Sequence, residues 1–76
     1  MNRIRRKSLQ NIIDQIEELK SSLEDIQTEE EEYRDNMPEN LQGSEKYEKA
    51  DSAVSNMEDA VSTLEDVISS IEAAME

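Results

Sequence analysis

The chain contains no cysteine, histidine, tryptophan or phenylalanine among its 76 residues. Without cysteine it forms no disulfide and offers no thiolate to a metal ion. Without histidine it lacks the commonest general base and the commonest transition-metal ligand. Gly43 is the only glycine, so a glycine-rich phosphate loop is absent, and the only proline, Pro38, lies close to it in the sequence. These absences predict a non-enzymatic protein without a metal ion, a cofactor or a small-molecule substrate.

Long hydrophobic runs are missing as well. No apolar run approaches the roughly 20 residues needed to cross a bilayer. The N-terminal cations are not followed by the apolar segment of a signal peptide. Hydrophobic residues make up 34% of the chain and charged residues 37%. We therefore expect a cytoplasmic protein with no membrane partner.

The apolar residues that are present follow a heptad pattern, with alternating steps of three and four residues in each half of the chain. Such spacing places them on one side of a helix and is typical of coiled coils. The first ladder is interrupted once, at Glu30, and the second runs without a break from Tyr47 to Met75. The predicted hairpin core comprises Leu9, Ile12, Ile16, Leu19, Leu23, Ile26, Tyr33, Tyr47, Val54, Met57, Val61, Leu64, Ile68 and Ile71.

The two helix breakers predict a single turn between the ladders. We expect one all-α domain over residues 1–76, with helices over about 3–36 and 45–74 and a turn over about 37–44. The first helix starts later, at Ser8, if the basic segment frays. Pro38 opens a short helical turn, Gly43 supplies backbone freedom, and Ser44 caps the second helix. A connector this short predicts an antiparallel, coiled-coil-like hairpin.

A lone hairpin of this size buries too little to be stable, and further apolar residues flank the ladders. They predict a second contact surface, which closes a homodimeric four-helix bundle by two-fold symmetry. The alternative is that the alanines among them are only good helix formers. In an antiparallel dimer, the basic N-terminal segment of one hairpin could pair with Glu30 of the other. The predicted oligomer interface comprises Ile13, Ala53, Ala60, Val67 and Ala74.

Charge is distributed unevenly along the chain. Residues 1–7 carry four positive side chains, Arg3, Arg5, Arg6 and Lys7, while the remainder has a net charge of −16. The bulk of the protein therefore repels nucleic acid and favours a basic protein partner. Direct nucleic-acid binding through residues 1–7 is not expected. The predicted acidic partner-binding face comprises Asp51, Glu58, Asp59, Glu65, Asp66 and Glu72.

The connector from Asn36 to Glu48, between two acidic helices, resembles small acidic helical-hairpin proteins encoded by phages and mobile elements of Gram-positive bacteria. That resemblance implies the cytoplasm of a bacterium or of a phage's host cell. Leu41-Gln42-Gly43 is also similar to the turn of secreted Trp-x-Gly hairpins, but the tryptophan is missing.

Two functions remain open from the sequence. The first is an acidic, self-associating protein–protein interaction module. The second is a nucleic-acid mimic that inhibits a host nucleic-acid-binding or defence protein. A purely solubilising role for the acidic surface is the simplest alternative to both.

Overall fold

A computed structural model describes all 76 residues and consists of two long helices joined by a short turn. Helix α1 spans Arg3–Asp35 and helix α2 spans Glu45–Ala74, with a 3₁₀ turn over Glu39–Leu41 between them. The helices pack along their length into a rod measuring 59 by 15 by 12 Å. The prediction of an all-helical hairpin is confirmed.

Both helices begin at side-chain caps that satisfy otherwise unpaired backbone donors. Asn2 Oδ1 accepts a hydrogen bond from the backbone N–H of Arg5 at 2.8 Å. Ser44 Oγ accepts one from the N–H of Tyr47 at 3.3 Å. The basic segment is helical from Arg3 onward, and Arg6 Nε donates to the carbonyl oxygen of Met75 at 3.0 Å.

The turn contains the short helical segment expected after Pro38, and it differs from expectation at Gly43. Met37 is buried and closes this end of the hairpin, whereas Leu41 is exposed. Gly43 does not have a positive φ, and a Cβ added to it would meet no atom within 4 Å. The expectation that Gly43 supplies backbone freedom is therefore wrong for the conformation it adopts.

Helix α2 contributes its heptad ladder to the contact between the helices. Ala50, Val54 and Ile68 are buried there. The remaining ladder residues are half-buried: Tyr47, Met57, Val61, Leu64, Ile71 and Met75.

Helix α1 is rotated relative to the sequence prediction. The residues expected in its half of the core include Ile12, Leu19, Ile26 and Tyr33, which are 44%, 65%, 54% and 51% exposed. Ile13, expected in the oligomer interface, is only 5% exposed and lies in the hairpin core. The row of Ile13 thus replaces the row of Ile12 beside the row of Leu9. At 100° per residue, this replacement turns the contact line about 50° around the helix. The contact line now comprises Leu9, Ile13, Ile16, Lys20, Leu23, Gln27, Glu30, Arg34 and Met37.

Candidate interaction surfaces

Two ion pairs connect the helices and identify one side of the hairpin. Arg34 Nη1 lies 2.9 Å from Asp51 Oδ1, and Lys20 Nζ lies 3.7 Å from Glu65 Oε1. Arg34 and Lys20 are two heptads apart on α1, and the two acids are two heptads apart on α2. The same edge of the interface is therefore bridged near the turn and near the middle of the rod.

Carboxylates continue along this edge on both helices. On α2 they recur every seven residues. On α1 an equivalent row has one carboxylate three residues before Lys20, one four residues after it, and one three residues before Arg34. In an antiparallel pair of helices, such rows lie on the same side of the contact line. We name this side the acidic face; it comprises Glu17, Glu24, Glu31, Asp51, Glu58, Glu65 and Glu72.

All six residues of the predicted acidic face are exposed, but they do not form a single row. Asp51, Glu58, Glu65 and Glu72 lie on the acidic face together with the three glutamates of α1. Asp59 and Asp66 lie farther round α2, on its side away from α1. The cross-helix ion pairs place the glutamates of α1 on the same side as the α2 row.

Arg34 is the cation most strongly engaged on this side. Its Nε contacts Asp35 Oδ1 and its Nη1 contacts Asp51 Oδ1, both at 2.9 Å. The hydrogen bond to Asp35, followed by the one to Asp51, raises the pKa of the Arg34 guanidinium above its ordinary value. Arg34 therefore bridges α1 and α2 across the contact line while it also binds Asp35 on its own helix.

The opposite side of the hairpin is apolar. The exposed residues of α1 and the alanine-rich row of α2 occupy corresponding heptad positions, so they lie on one side of an antiparallel pair. Two surface recesses agree with this placement. Leu9 lines a shallow groove with Val67 and Ala74, and Tyr33 lines a recess with Lys46, one heptad before Ala53. We name this side the apolar face; it comprises Ile12, Leu19, Ile26, Tyr33, Ala53, Ala60, Val67 and Ala74.

The sequence-predicted interface therefore keeps four of its residues on one side but loses the fifth. Ala53 is half-buried beside the contact between the helices, while Ala60, Val67 and Ala74 are exposed. Ile13 lies instead within the hairpin contact. Three polar members of that contact, Lys20, Gln27 and Arg34, were not expected from the sequence. The signal that could have found them is their spacing, because they follow the buried Ile13 at intervals of seven residues.

The remaining features of the surface carry little chemistry. No three acidic side chains converge closely enough to hold a metal ion. Every buried side-chain polar atom has a hydrogen-bond partner. Neither helix is both long and apolar enough to cross a membrane. No family model matches the sequence, and no curated protein or solved structure is similar to it.

Proposed function

We propose that the protein is a non-enzymatic interaction module that self-associates through its apolar face and presents its acidic face outward to a basic protein partner. The observation that carries this proposal is the exposure of Ile12, Leu19, Ile26 and Tyr33 on one side of a single hairpin. Aligned apolar side chains of this size are typical of a protein–protein contact surface.

The rotation of α1 supports a four-helix bundle. In such a bundle each helix has two neighbours at about a right angle, and its apolar arc points between them. In α1, the middle of the apolar arc formed by the Leu9 and Ile12 rows points about 50° away from α2. That angle leaves the Ile12 row directed toward a second neighbour. In α2, the Ala60 row extends the apolar arc toward the same side.

The small core of the hairpin supports the same conclusion. Only five residues are buried in the single chain, and none is a large side chain that is fully enclosed. A helical pair of this length gains little stability from so few buried groups. A second copy on the apolar face would bury four more large side chains of α1.

The test of self-association is a pair of matched substitutions measured by sedimentation equilibrium. Leu19→Glu places a charge on the apolar face, whereas Ser21→Glu places the same charge two residues away on the other side of α1. Ala60→Glu and Ser62→Glu form the equivalent pair on α2. We expect the changes at Leu19 and Ala60 to shift the mass toward the monomer and the two serine controls to leave it unchanged. Equal masses within both pairs would rule out the apolar face as the interface.

We propose nucleic-acid mimicry as a second candidate, because the acidic face forms two parallel rows of carboxylates. Successive acids in a row are seven residues apart, or about 10 Å along the helix. Duplex DNA carries a charge every ~1.7 Å of its axis, so the rows offer only a partial match. This function requires a partner whose basic groove accepts the rod.

Mimicry is tested by capture from a bacterial extract on the immobilised chain, with elution by duplex DNA. One variant removes three charges from the acidic face: Glu58→Gln, Glu65→Gln and Glu72→Gln. The control removes three from the outer row of α1: Glu18→Gln, Asp25→Asn and Glu32→Gln. We expect only the first variant to lose a DNA-eluted protein. Equal loss in both variants would indicate general charge attraction and contradict mimicry.

A further inference from the structure

We propose that the second copy docks on the apolar face with its long axis reversed, so that the turn of each hairpin lies beside the chain ends of the other. This arrangement rests on the proposed self-association and adds its geometry. In it, α1 packs against α1 and α2 against α2, each pair being antiparallel. The alternative, with both turns at the same end, would pack α1 of one copy against α2 of the other.

A single two-fold axis can relate each row of the apolar face to the same row of the second copy. The row from Ile12 to Tyr33 has its midpoint between residues 22 and 23 of α1. The row from Ala53 to Ala74 has its midpoint between residues 63 and 64 of α2. Lys20 pairs with Glu65, so residue 22 of α1 lies near residue 63 of α2. Both midpoints therefore lie at one level of the rod to within about one helical turn.

The charges at the two ends of the hairpin favour the reversed arrangement. Residues 29–45, around the turn, carry seven acidic and one basic side chain. The opposite end, residues 1–9 and 68–76, carries four basic and two acidic side chains. Reversal places the positive end of one copy beside the negative end of the other. With both turns at the same end, the two strongly acidic segments would repel each other.

Side-chain size also favours reversal. With the turns at the same end, both copies of Tyr33 would occupy one layer of the bundle and both copies of Ile12 another. Reversal combines Tyr33 with the partner's Ile12 in each layer, so that the layers have similar volumes. Even layers suit the close packing of protein interiors.

The area available is sufficient for a stable dimer. A face measuring 59 by 15 Å has a footprint on the order of 900 Å², compared with roughly 800 Å² per partner in a typical stable interface. The second copy is thus an occupant of matching length, because both faces extend along the whole rod.

The reversed dimer also assigns a role to the basic segment. Arg5 continues the row of Ile12 toward the chain end, one heptad earlier. The two-fold relation places Arg5 just beyond the end of the partner's α1, beside the turn that carries the partner's Glu39. The partner's Glu30, suggested by the sequence analysis as the acceptor, lies farther from Arg5, within the partner's α1. We therefore assign the partner's Glu39, on that turn, as the acceptor for Arg5.

Single-cysteine cross-linking tests the arrangement, and the absence of native cysteine leaves one thiol in each variant. Ser22→Cys and Thr63→Cys lie beside the apolar rows at the level of the proposed axis. Their matched controls are Ser21→Cys and Ser62→Cys, at the same height on the far side. A short bis-maleimide is added to each variant, and the mass of the unmodified protein is measured in parallel.

In the reversed dimer, Ser22→Cys alone and Thr63→Cys alone each give a cross-linked dimer, and the controls do not. With the turns at the same end, neither variant reacts alone, but a mixture of the two does, which would overturn the proposal. No cross-link in a protein that is dimeric by mass would also overturn it while leaving self-association intact. A monomeric mass at every concentration would instead overturn the proposed function itself.

Discussion

Arg34 on α1 donates a hydrogen bond to Asp51 on α2 at 2.9 Å, and this contact identifies how α1 is turned in the hairpin. Arg34 shares its heptad position with Lys20 and Ile13, so all three lie along the contact with α2. The row of Ile12 is consequently left outside. The acidic and apolar faces are two results of the same helix rotation.

The pairing of Arg34 with Asp51 predicts a position-dependent effect of charge reversal. Asp51→Lys places a cation beside Arg34. Glu58→Lys, one heptad later on the same row, lies level with the neutral side chain of Gln27. We expect Asp51→Lys to lower the melting temperature measured by circular dichroism more than Glu58→Lys does. Adding Arg34→Glu to Asp51→Lys should recover most of the loss. Equal melting temperatures for the two single variants would contradict a role for this pair.

Ser44 is predicted to stabilise the start of α2. Its Oγ accepts a hydrogen bond from Tyr47 N–H and donates one to the Leu41 carbonyl. Loss of a serine N-cap typically costs about 1 kcal/mol, so Ser44→Ala should reduce the unfolding free energy by about that amount. Ser55→Ala, on an exposed part of α2, is the control and should be neutral or slightly stabilising. Urea unfolding at a fixed protein concentration measures both variants.

Gly43 is predicted to be replaceable. Its φ is not positive, and a Cβ there would meet nothing within 4 Å. Gly→Ala at such a position stabilises a protein by roughly 0.4–1 kcal/mol, because it restricts the unfolded chain. Urea unfolding of Gly43→Ala should therefore show a higher midpoint. A lower midpoint would mean that the turn requires a conformation other than the one it has here.

The fold of α2 could be predicted from its sequence because its ladder is uniformly apolar. The spacing that includes Val54 and Ile68 describes the observed contact. In α1, two rows flank Leu9, Ile16 and Leu23: the apolar row of Ile12 and the mixed row of Ile13. Hydrophobicity alone favours the first row, whereas the structure places the second against α2. The choice depends on contacts such as Lys20–Glu65, between residues far apart in the chain.

The acidic face was only partly predictable for the same reason. The spacing of Glu58 and Glu65 identifies a row on α2, and that of Glu17 and Glu24 identifies one on α1. Whether the two rows share a side depends on the rotation of α1. Periodicity within a single helix does not contain that information.

The basic segment is predicted to strengthen the proposed dimer through Arg5. Arg5→Gln removes a charge in line with the apolar row, and Lys7→Gln removes one on another side of α1. We expect Arg5→Gln to weaken dimerisation more, with a difference that shrinks as salt screens the contact with Glu39. Sedimentation equilibrium at several salt concentrations measures this difference. An identical dissociation constant for both variants would place Arg5 outside the interface.

The central claim is that the apolar face holds two copies together. The most direct test is sedimentation equilibrium of the unmodified protein over a dilution series, at low salt and in about 1 M NaCl. At the higher salt the Debye screening length falls to ~3 Å, so contacts between charges are weakened. An apolar interface predicts a particle of two 8.7 kDa chains that persists at high salt and dissociates only on dilution. A single 8.7 kDa species at every concentration and both salt levels would contradict the claim.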